Sequence, residues 1–465
     1  MAEKSDFNQI ISQALNNRFL QTALTRATGT FKGNRVRATA EIPDFENLRL
    51  QARAAKARVF DRLDHYLVKL EERVTALGGR VFWAEDEKAV MDYIIALAEA
   101  RGVKQVVKGK SMTTEEIRLN PALEAAGLEV FETDLGEYII QLVGERPSHI
   151  IGPAIHKTKE EIARLFEKRL GLKYTDDPEE MTQAVRRELR TRFFQAGMGI
   201  TGVNFAVAET GTLVIYENEG NIRMSTTLPR IHVAVMGLEK VVADLDDLSA
   251  LMRILPLSAT GQRLSSYVSF LTGPGRNRGE GPEELHLILY DGYRTQALAD
   301  GHFRQILRCL RCGACLNFCP VYRLLGGHSY PWVYSGPVGV VLTGLAHGPE
   351  AVRDVAGAST LCRSCNQVCP VMIDLAGLIL ELRRRLADGD PKGQWLADMA
   401  GRCLATPLGF DLAGRCLGLA AGASLDPEGQ VRRGPDQLRR IGQGRCLPRP
   451  SPEPFHRSLF RGDEE

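Results

Sequence analysis

Seven cysteines set the terms for what this 465-residue chain can fold into. Four form the unbroken run Cys309-Leu-Arg-Cys312-Gly-Ala-Cys315-Leu-Asn-Phe-Cys319-Pro320, and three follow in Cys362-Arg-Ser-Cys365-Asn-Gln-Val-Cys369-Pro370. Two-residue gaps let successive thiolates reach different corners of one inorganic cluster, and Gly313 suits a turn with little room for a side chain. CxxCxxCxxxCP is the bacterial ferredoxin spacing, in which three close thiolates hold one cubane and the fourth crosses to a second. By that crossing, Cys309, Cys312, Cys315 and Cys369 hold cluster one, and Cys319, Cys362 and Cys365 hold cluster two. Structural zinc is the plainer use of CxxC pairs, but its separated pairs fit poorly with four cysteines in one run and a second CP downstream.

The second motif is one cysteine short, and alignment on CxxxCP puts the missing first member at Ser359. The fourth position on cluster two is then open to the Ser359 oxygen, a water, or one of the remote residues Cys403, Cys416 and Cys446. Failing these, it is a three-iron [3Fe–4S] site. The expected cofactors are two [4Fe–4S] clusters, the second with that alternative. The remote cysteines, isolated in sequence, otherwise read as inert thiols.

Charge and hydropathy narrow the setting. Lys and Arg total 59 against 57 Asp and Glu, a formal +2 that argues by bulk charge against nucleic acid as a partner. No apolar run reaches the length of a membrane-spanning helix, and MAEKSDFNQI lacks a signal-peptide core. The expectation is a cytoplasmic protein, reaching a membrane only through partners. Ten cysteines there are no disulfide framework.

Along the chain, residues 1–78 read as an N-terminal helical segment. Amphipathic spacing covers 7–25 and about 45–77, and the basic stretch FKGNRVRATAEIP between them reads as a loop or arm. Residues 79–294 alternate short apolar runs (RVFWA, KQVVK, LEVFE, YIIQLV) with helical patterns at Glu87–Ala100, about 157–170 and 178–196. That alternation predicts βαβ units and a largely parallel sheet. Residues 203–237 hold three β-rich runs, and SYVSFL and ELHLILY flank a Gly/Pro-rich loop. Residues 295–389 carry both cysteine motifs, entered through a helical stretch at 296–308, and 390–465 read as a weakly ordered Gly/Arg/Pro-rich tail.

Other candidates are weaker. Lys108 and Lys110 in VVKGKSMTTEEI lie between a strand and a helix whose Thr113 and Glu116 have capping-box spacing, an arrangement suited to an anion but equally to a plain helix cap. Glu209 sits in a hairpin turn, where it could also face a cleft. His149 and His156 bracket IIGPAI without the third ligand a metal needs, and His328 reads as a hydrogen-bonded loop residue. No GxGxxG, GxSxG or HExxH is present, so no catalytic residue or substrate site is readable, and substrate oxidation belongs on another chain.

Together with the two CP motifs, the segments VVKGKSMTTEEI, VFETDLGEYIIQL, AETGTLVIYENEGNIRMSTTLPRIHV, TGQRLSSYVSFLTGP and GGHSYPWVYSGPVG resemble the lactate utilization protein B family, iron–sulfur subunits of a bacterial L-lactate oxidation complex. The resemblance implies an α/β lactate-utilisation domain similar to sugar-phosphate isomerases and CoA transferases, followed by an α-helical ferredoxin domain. It implies two [4Fe–4S] clusters on the seven cysteines. It also implies two companion subunits, one cysteine-rich and one sharing the α/β domain. Residues 418–465 depart from the family pattern. The function so implied is electron relay from lactate through adjacent clusters to an acceptor. The alternative is an anion- or acyl-binding α/β module with structural or regulatory clusters.

Overall fold

The computed structural model describes residues 7–275, 281–388 and 391–424, which divide into two compact units between Arg384 and Arg385. The first opens with four helices, α1 (Phe7–Asn16), α2 (Arg18–Ala40), α3 (Phe45–Asp61) and α4 (Leu63–Ala76). Where the sequence suggests a basic arm, α2 continues as helix to Ala40. Leu24, Thr28, Arg35 and Ala38 share its buried face, and no proline interrupts it. Arg35 is buried because its guanidinium donates to the Val368 carbonyl at 2.8 Å, a long-range partner that local spacing does not reveal.

Ten strands follow: β1 (Arg80–Ala84), β2 (Gln105–Lys108), β3 (Glu129–Glu132), β4 (Met198–Gly202), β5 (Phe205–Val207), β6 (Thr212–Glu217), β7 (Ile231–Gly237), β8 (Val241–Val242), β9 (Tyr267–Leu271) and β10 (Glu284–Tyr290). Six make a parallel sheet in the order β1-β10-β7-β4-β2-β3, with Met198 opposite both Val106 and Ile231. The other four form a mixed sheet, β8-β5-β6-β9. Every residue of β7 is buried, because both faces of its sheet are covered. Ile231, Val233 and Val235 join one core, while Ala234 and Met236 face the other, as the two-residue period of a strand requires.

Helices α5 (Glu87–Ala100), α6 (Met112–Glu116), α7 (Leu119–Ala125), α8 (Leu135–Val143), α9 (Lys159–Leu170), α10 (Pro178–Gln195), α11 (Asn221–Thr227) and α12 (Leu245–Ala259) complete this layer. One apolar run that reads as strand, and part of a β-rich stretch with the turn before it, are helical. YIIQLV lies in α8, started by Asp134 capping Glu137 N, and NIRMSTT forms α11, whose first amides Ile222 and Arg223 are held by Glu217. In α6 the cap is Ser111, accepting from Thr114 N, rather than Thr113, which lies inside the helix.

The cysteine region follows on α13 (Arg294–Ala299) and a 3₁₀ segment at Phe303–Arg308. It is built from short helices α14 (Ala314–Phe318), α15 (Pro320–Leu325), α16 (Gly336–His347), α17 (Arg353–Ala358), α18 (Ser364–Val368) and α19 (Leu375–Asp388). Its apolar side chains belong to the same core as α3, α4 and one face of the parallel sheet. In the second unit, α20 (Pro391–Leu404) and α21 (Pro407–Ser424) pack together. The region that reads as weakly ordered is thus helical as far as Ser424. Trp395, Met399 and Cys403 recur every fourth residue along one side of α20 and are exposed there. Residues 425–465 lie outside the described residues, Cys446 among them.

Candidate metal centre and the adjoining cleft

The two cysteine motifs fold as a repeat. Arg311 and Gly313 have positive φ (59° and 73°) ahead of α14, and Leu361 and Arg363 repeat this (52° and 60°) ahead of α18. Such left-handed residues turn successive backbone N–H groups inward, making a concavity suited to negative charge. Arg311 N donates to Cys309 Sγ at 3.4 Å, and at the equivalent place Leu361 N donates to Ser359 Oγ at 3.4 Å. Ser359 therefore stands in the repeat where the first motif has its leading cysteine. Tyr322 N and Ile373 N likewise donate to Cys319 Sγ and Cys369 Sγ, at 3.5 and 3.3 Å.

Folding sorts the sulfurs into two groups. Cys309, Cys312, Cys315 and Cys369 line one small cavity walled by apolar residues such as Val338 and Ile373. Cys319, Cys362 and Cys365 lie near enough for their charges to act on one another, and Cys315 is within reach of Cys365. All are free thiols. Burial, with neighbouring sulfur charge, pushes Cys312 up to about 12 and Cys315 well above its ordinary value. Cys365 rises to about 12 for the same reasons. Several thiolates crowded away from water need cations among them, which is the environment a thiolate-bound iron cluster supplies. Cys403 and Cys416 are exposed and lie in the second compact unit.

A buried ionic network ties this region to the α/β layer. Arg294 donates to both oxygens of Glu116 (3.1 and 3.0 Å) and pairs with Glu239. Arg311, from inside the first motif, reaches Glu239 (3.5 Å) and the hydroxyls of Tyr293 (2.9 Å) and Tyr334 (3.2 Å), and Tyr334 closes the ring on Glu116 at 2.6 Å. Burial alone would raise the Glu239 carboxyl, but Arg294, Lys240 and Arg311 hold it well below the usual carboxylate range. A substituent Cβ on Gly237 would lie 2.1 Å from both Arg294 and Glu239, so the strand end must be glycine for the pair to close.

Beside the network opens a cleft of about 320 Å³ at the carboxyl ends of β2 and β4, lined by Lys110, Asn204, Tyr216, Lys240, Arg311 and Cys312 among others. Of the residues singled out in the sequence, Lys110 borders it, donating to the Ile151 carbonyl at 2.9 Å. Lys108 does not. It is fully buried and paired with Glu132 (2.8 Å) and Glu115 (3.2 Å), so it holds β2, β3 and α6 together rather than offering charge to a ligand. Glu209 is exposed in the β5–β6 hairpin and does not line the cleft. His149 is buried, and burial pulls it down to about 4. Its Nδ1 accepts from Ile151 N and Gly152 N, and its Nε2 lies 3.1 Å from Asn317 Oδ1, so the neutral ring pins α14. His156 and His328 meet ring to ring at 4.5 Å, and Glu145 joins them with ligand atoms within 4.8 Å. His156 Nε2 binds Glu145, His328 Nε2 binds the Arg146 carbonyl, and Lys157 pairs with Glu145, which accounts for the cluster as a loop clamp.

Sequence reasoning read Glu116 only as a helix-cap residue and missed Lys240, Glu239, Arg294 and Tyr216. None of those four stands in a recognisable spacing. Arg311 alone carried a signal, as a bulky residue inside a CxxC turn.

Comparison with known proteins places these features. A family model described as the LUD domain matches residues 67–290, and one described as a 4Fe-4S dicluster domain matches residues 305–373. The chain thus carries a LUD domain with a parallel α/β sheet followed by a region of iron–sulfur type. It is 40% identical over 455 residues to lactate utilization protein B of Bacillus licheniformis, covering 97% of this chain and 95% of that one. Against lactate utilization protein B of Bacillus subtilis it is 40% identical over 461 residues (98% and 95% covered). It is 44% identical over 386 residues to the "uncharacterized electron transport protein YkgF" of Escherichia coli, covering 83% and 81%. A solved DUF162 family protein from Deinococcus radiodurans matches at 14% identity and a TM-score of 0.27, over 49% of this chain and 98% of that one, too slight a likeness to bear on the fold. Among the described residues no helix is long and apolar enough to cross a membrane. With relatives at this identity over nearly its whole length, the chain belongs to the lactate utilization protein B family.

Proposed function

We propose that this chain is the iron–sulfur electron-transfer subunit of a multi-protein complex oxidising L-lactate to pyruvate. Cys309, Cys312, Cys315 and Cys369 would hold one [4Fe–4S] cluster, and Cys319, Cys362 and Cys365, with Ser359 as the fourth donor, the other. The observation that carries this reading is the cavity lined by three sulfurs of the first motif and the last sulfur of the second, which ties each motif to both groups. Bound there, the clusters supply one-electron acceptance and donation.

The chain's own residues do the rest. The sulfurs bind, the inward N–H groups of Arg311, Tyr322 and Ile373 favour negative charge on them, and the apolar wall around Cys312 and Cys315 keeps water away. Ser359 is supported by its place in the repeat and by Leu361 N on its oxygen. Lactate oxidation itself falls to companion subunits, one cysteine-rich and one sharing the α/β domain. We place the protein in the cytoplasm, where free thiols persist, with any membrane contact made through partners. The α/β layer, parallel throughout its main sheet, suits the sugar-phosphate-isomerase and CoA-transferase type of fold, and the short helices around the cysteines suit the helical ferredoxin type.

Iron and sulfide quantitation with EPR on anaerobically purified protein tests the cofactors, and reduction by L-lactate in the presence of both companions tests the relay. The visible charge-transfer band is expected to bleach on lactate addition. Colourless, zinc-loaded protein would overturn the cofactor reading. Clusters that stay oxidised with lactate and all partners present would favour the alternative, an anion- or acyl-binding module with structural clusters.

A further inference from the structure

We infer that the cleft beside Cys312 is a binding site for a small organic anion, its acid group held by Lys240 and Arg311 with the Tyr216 hydroxyl as a third donor. Three polar groups around this one cavity have no partner. Lys240 is 8% exposed and makes no hydrogen bond or ion pair among the described residues. Arg311 Nη1 and Tyr216 Oη are buried and unbonded. Buried donors without acceptors are costly and rare, so two lining one cavity, beside a lysine with no hydrogen bond or ion pair, mark a missing acceptor.

Charge gives the sign of that acceptor. Arg294, Arg311 and Lys240 share two carboxylates, and Arg294 takes Glu116 and the nearer oxygen of Glu239. Arg311 is left with a 3.5 Å contact to the other oxygen, and Lys240 with none. Three acidic residues, Asp134, Glu217 and Glu219, also line the cleft, and each already accepts from backbone N–H groups. Glu217 is occupied by Ile222 N and Arg223 N, and Glu219 by Leu135 N. Burial lowers the Lys240 pKa, only partly offset by the Glu239 charge, a cost that a bound anion would relieve.

Size and place complete the argument. A volume of about 320 Å³ lies in the range of metabolite pockets, and Leu255 and Pro256 offer an apolar wall for an organic body beyond the acid group. The cleft opens at the carboxyl ends of parallel strands, where α/β sheets bind their ligands. Because Arg311 lies between Cys309 and Cys312, charge in the cleft is also placed to act on the sulfurs, and only this consequence rests on the function proposed above.

Carboxylate and phosphate share the required chemistry, so the probes are pyruvate, phenylpyruvate and inorganic phosphate, read by isothermal titration and by thermal melting of the anaerobic full-length protein. At least one probe is expected to bind and raise the melting temperature. Phenylpyruvate binding more tightly than pyruvate would assign a carboxylate with an organic body, and phosphate alone a phosphate ester. Lys240→Met is expected to weaken binding by about tenfold or more. Tyr216→Phe, which keeps the ring packing, is expected to weaken binding by a smaller factor. No binding by any probe, or unchanged affinity in both variants, overturns the inference. Neither measurement involves electron transfer, so a failure of lactate-driven reduction leaves this result standing, and the reverse holds too.

Discussion

Neutralising Glu239 should unlock the joint between the α/β layer and the cysteine region. Glu239→Gln keeps the shape and removes the charge that Arg294, Arg311 and Lys240 face. Its side chain is 2% exposed and those of Arg294 and Arg311 are 1% and 7%, so little water can replace the lost carboxylate. Removing one partner of a buried pair typically costs about 3–5 kcal/mol; Arg294 keeps Glu116, so the charges left without a carboxylate are those of Arg311 and Lys240. Against total stabilities of roughly 5–15 kcal/mol, that is a loss visible in any unfolding assay. The measurement is anaerobic thermal unfolding at a fixed scan rate, following far-ultraviolet circular dichroism and cluster absorbance together. The double variant Glu239→Gln/Arg294→Met removes both charges and should be more stable than the sum of its singles predicts. A loss below about 1 kcal/mol, of the size expected for a surface pair, would refute the reasoning, as would strict additivity in the double variant. The pH dependence has a definite sign. With its folded pKa depressed, Glu239 contributes stability that is fully present above the ordinary glutamate range and is lost only as pH falls through the folded value.

Lys56 makes the opposite test. Fully buried against the Glu239 and Val241 carbonyls, it is pulled by burial down to about 7, so the unfolded chain holds an extra proton between there and 10.5. Wild-type stability should therefore rise by roughly 1.4 kcal/mol per pH unit above about pH 7 relative to Lys56→Met, and a pH-independent difference would contradict the assignment. A Cβ on Gly327 would sit 1.8 Å from the Ser148 carbonyl oxygen. Gly327→Ala should cost about 1–3 kcal/mol or more and speed proteolysis of the 326–335 loop, whereas Gly357→Ala, with open space around it, should change neither. At the metal centre, Ser359→Ala should increase a three-iron EPR signal after air exposure and Ser359→Cys should suppress it, while indifference to both would remove Ser359 as a donor.

Locally encoded features were readable from the sequence. The helix Glu87–Ala100 has its apolar spacing and an Asp86 cap side by side, and β1, β2, β3, β9 and β10 are short apolar runs between turn residues. The cysteine spacing and the place of Ser359 in the repeat needed only alignment of one motif on the other. Where one apolar run could serve either helix or strand, as in YIIQLV, the decision lay with the Asp134 cap and the packing surface of α9 and α10. The cleft was beyond reach for a different reason. Lys240, Arg311 and Tyr216 are separated by tens of residues, and ordinary side chains at ordinary spacings acquire meaning only when burial removes the water that would otherwise satisfy them. Lys108 shows the converse, since its basic Gly-Lys context suggested a ligand, and the buried Glu132 and the half-buried Glu115 consumed its charge. The sequence by itself thus determined the spacing of the seven cysteines proposed to hold iron, because ligand spacing is a local property of the chain. Which charges are left without a partner is a sum over distant neighbours, and only the tertiary structure decided it.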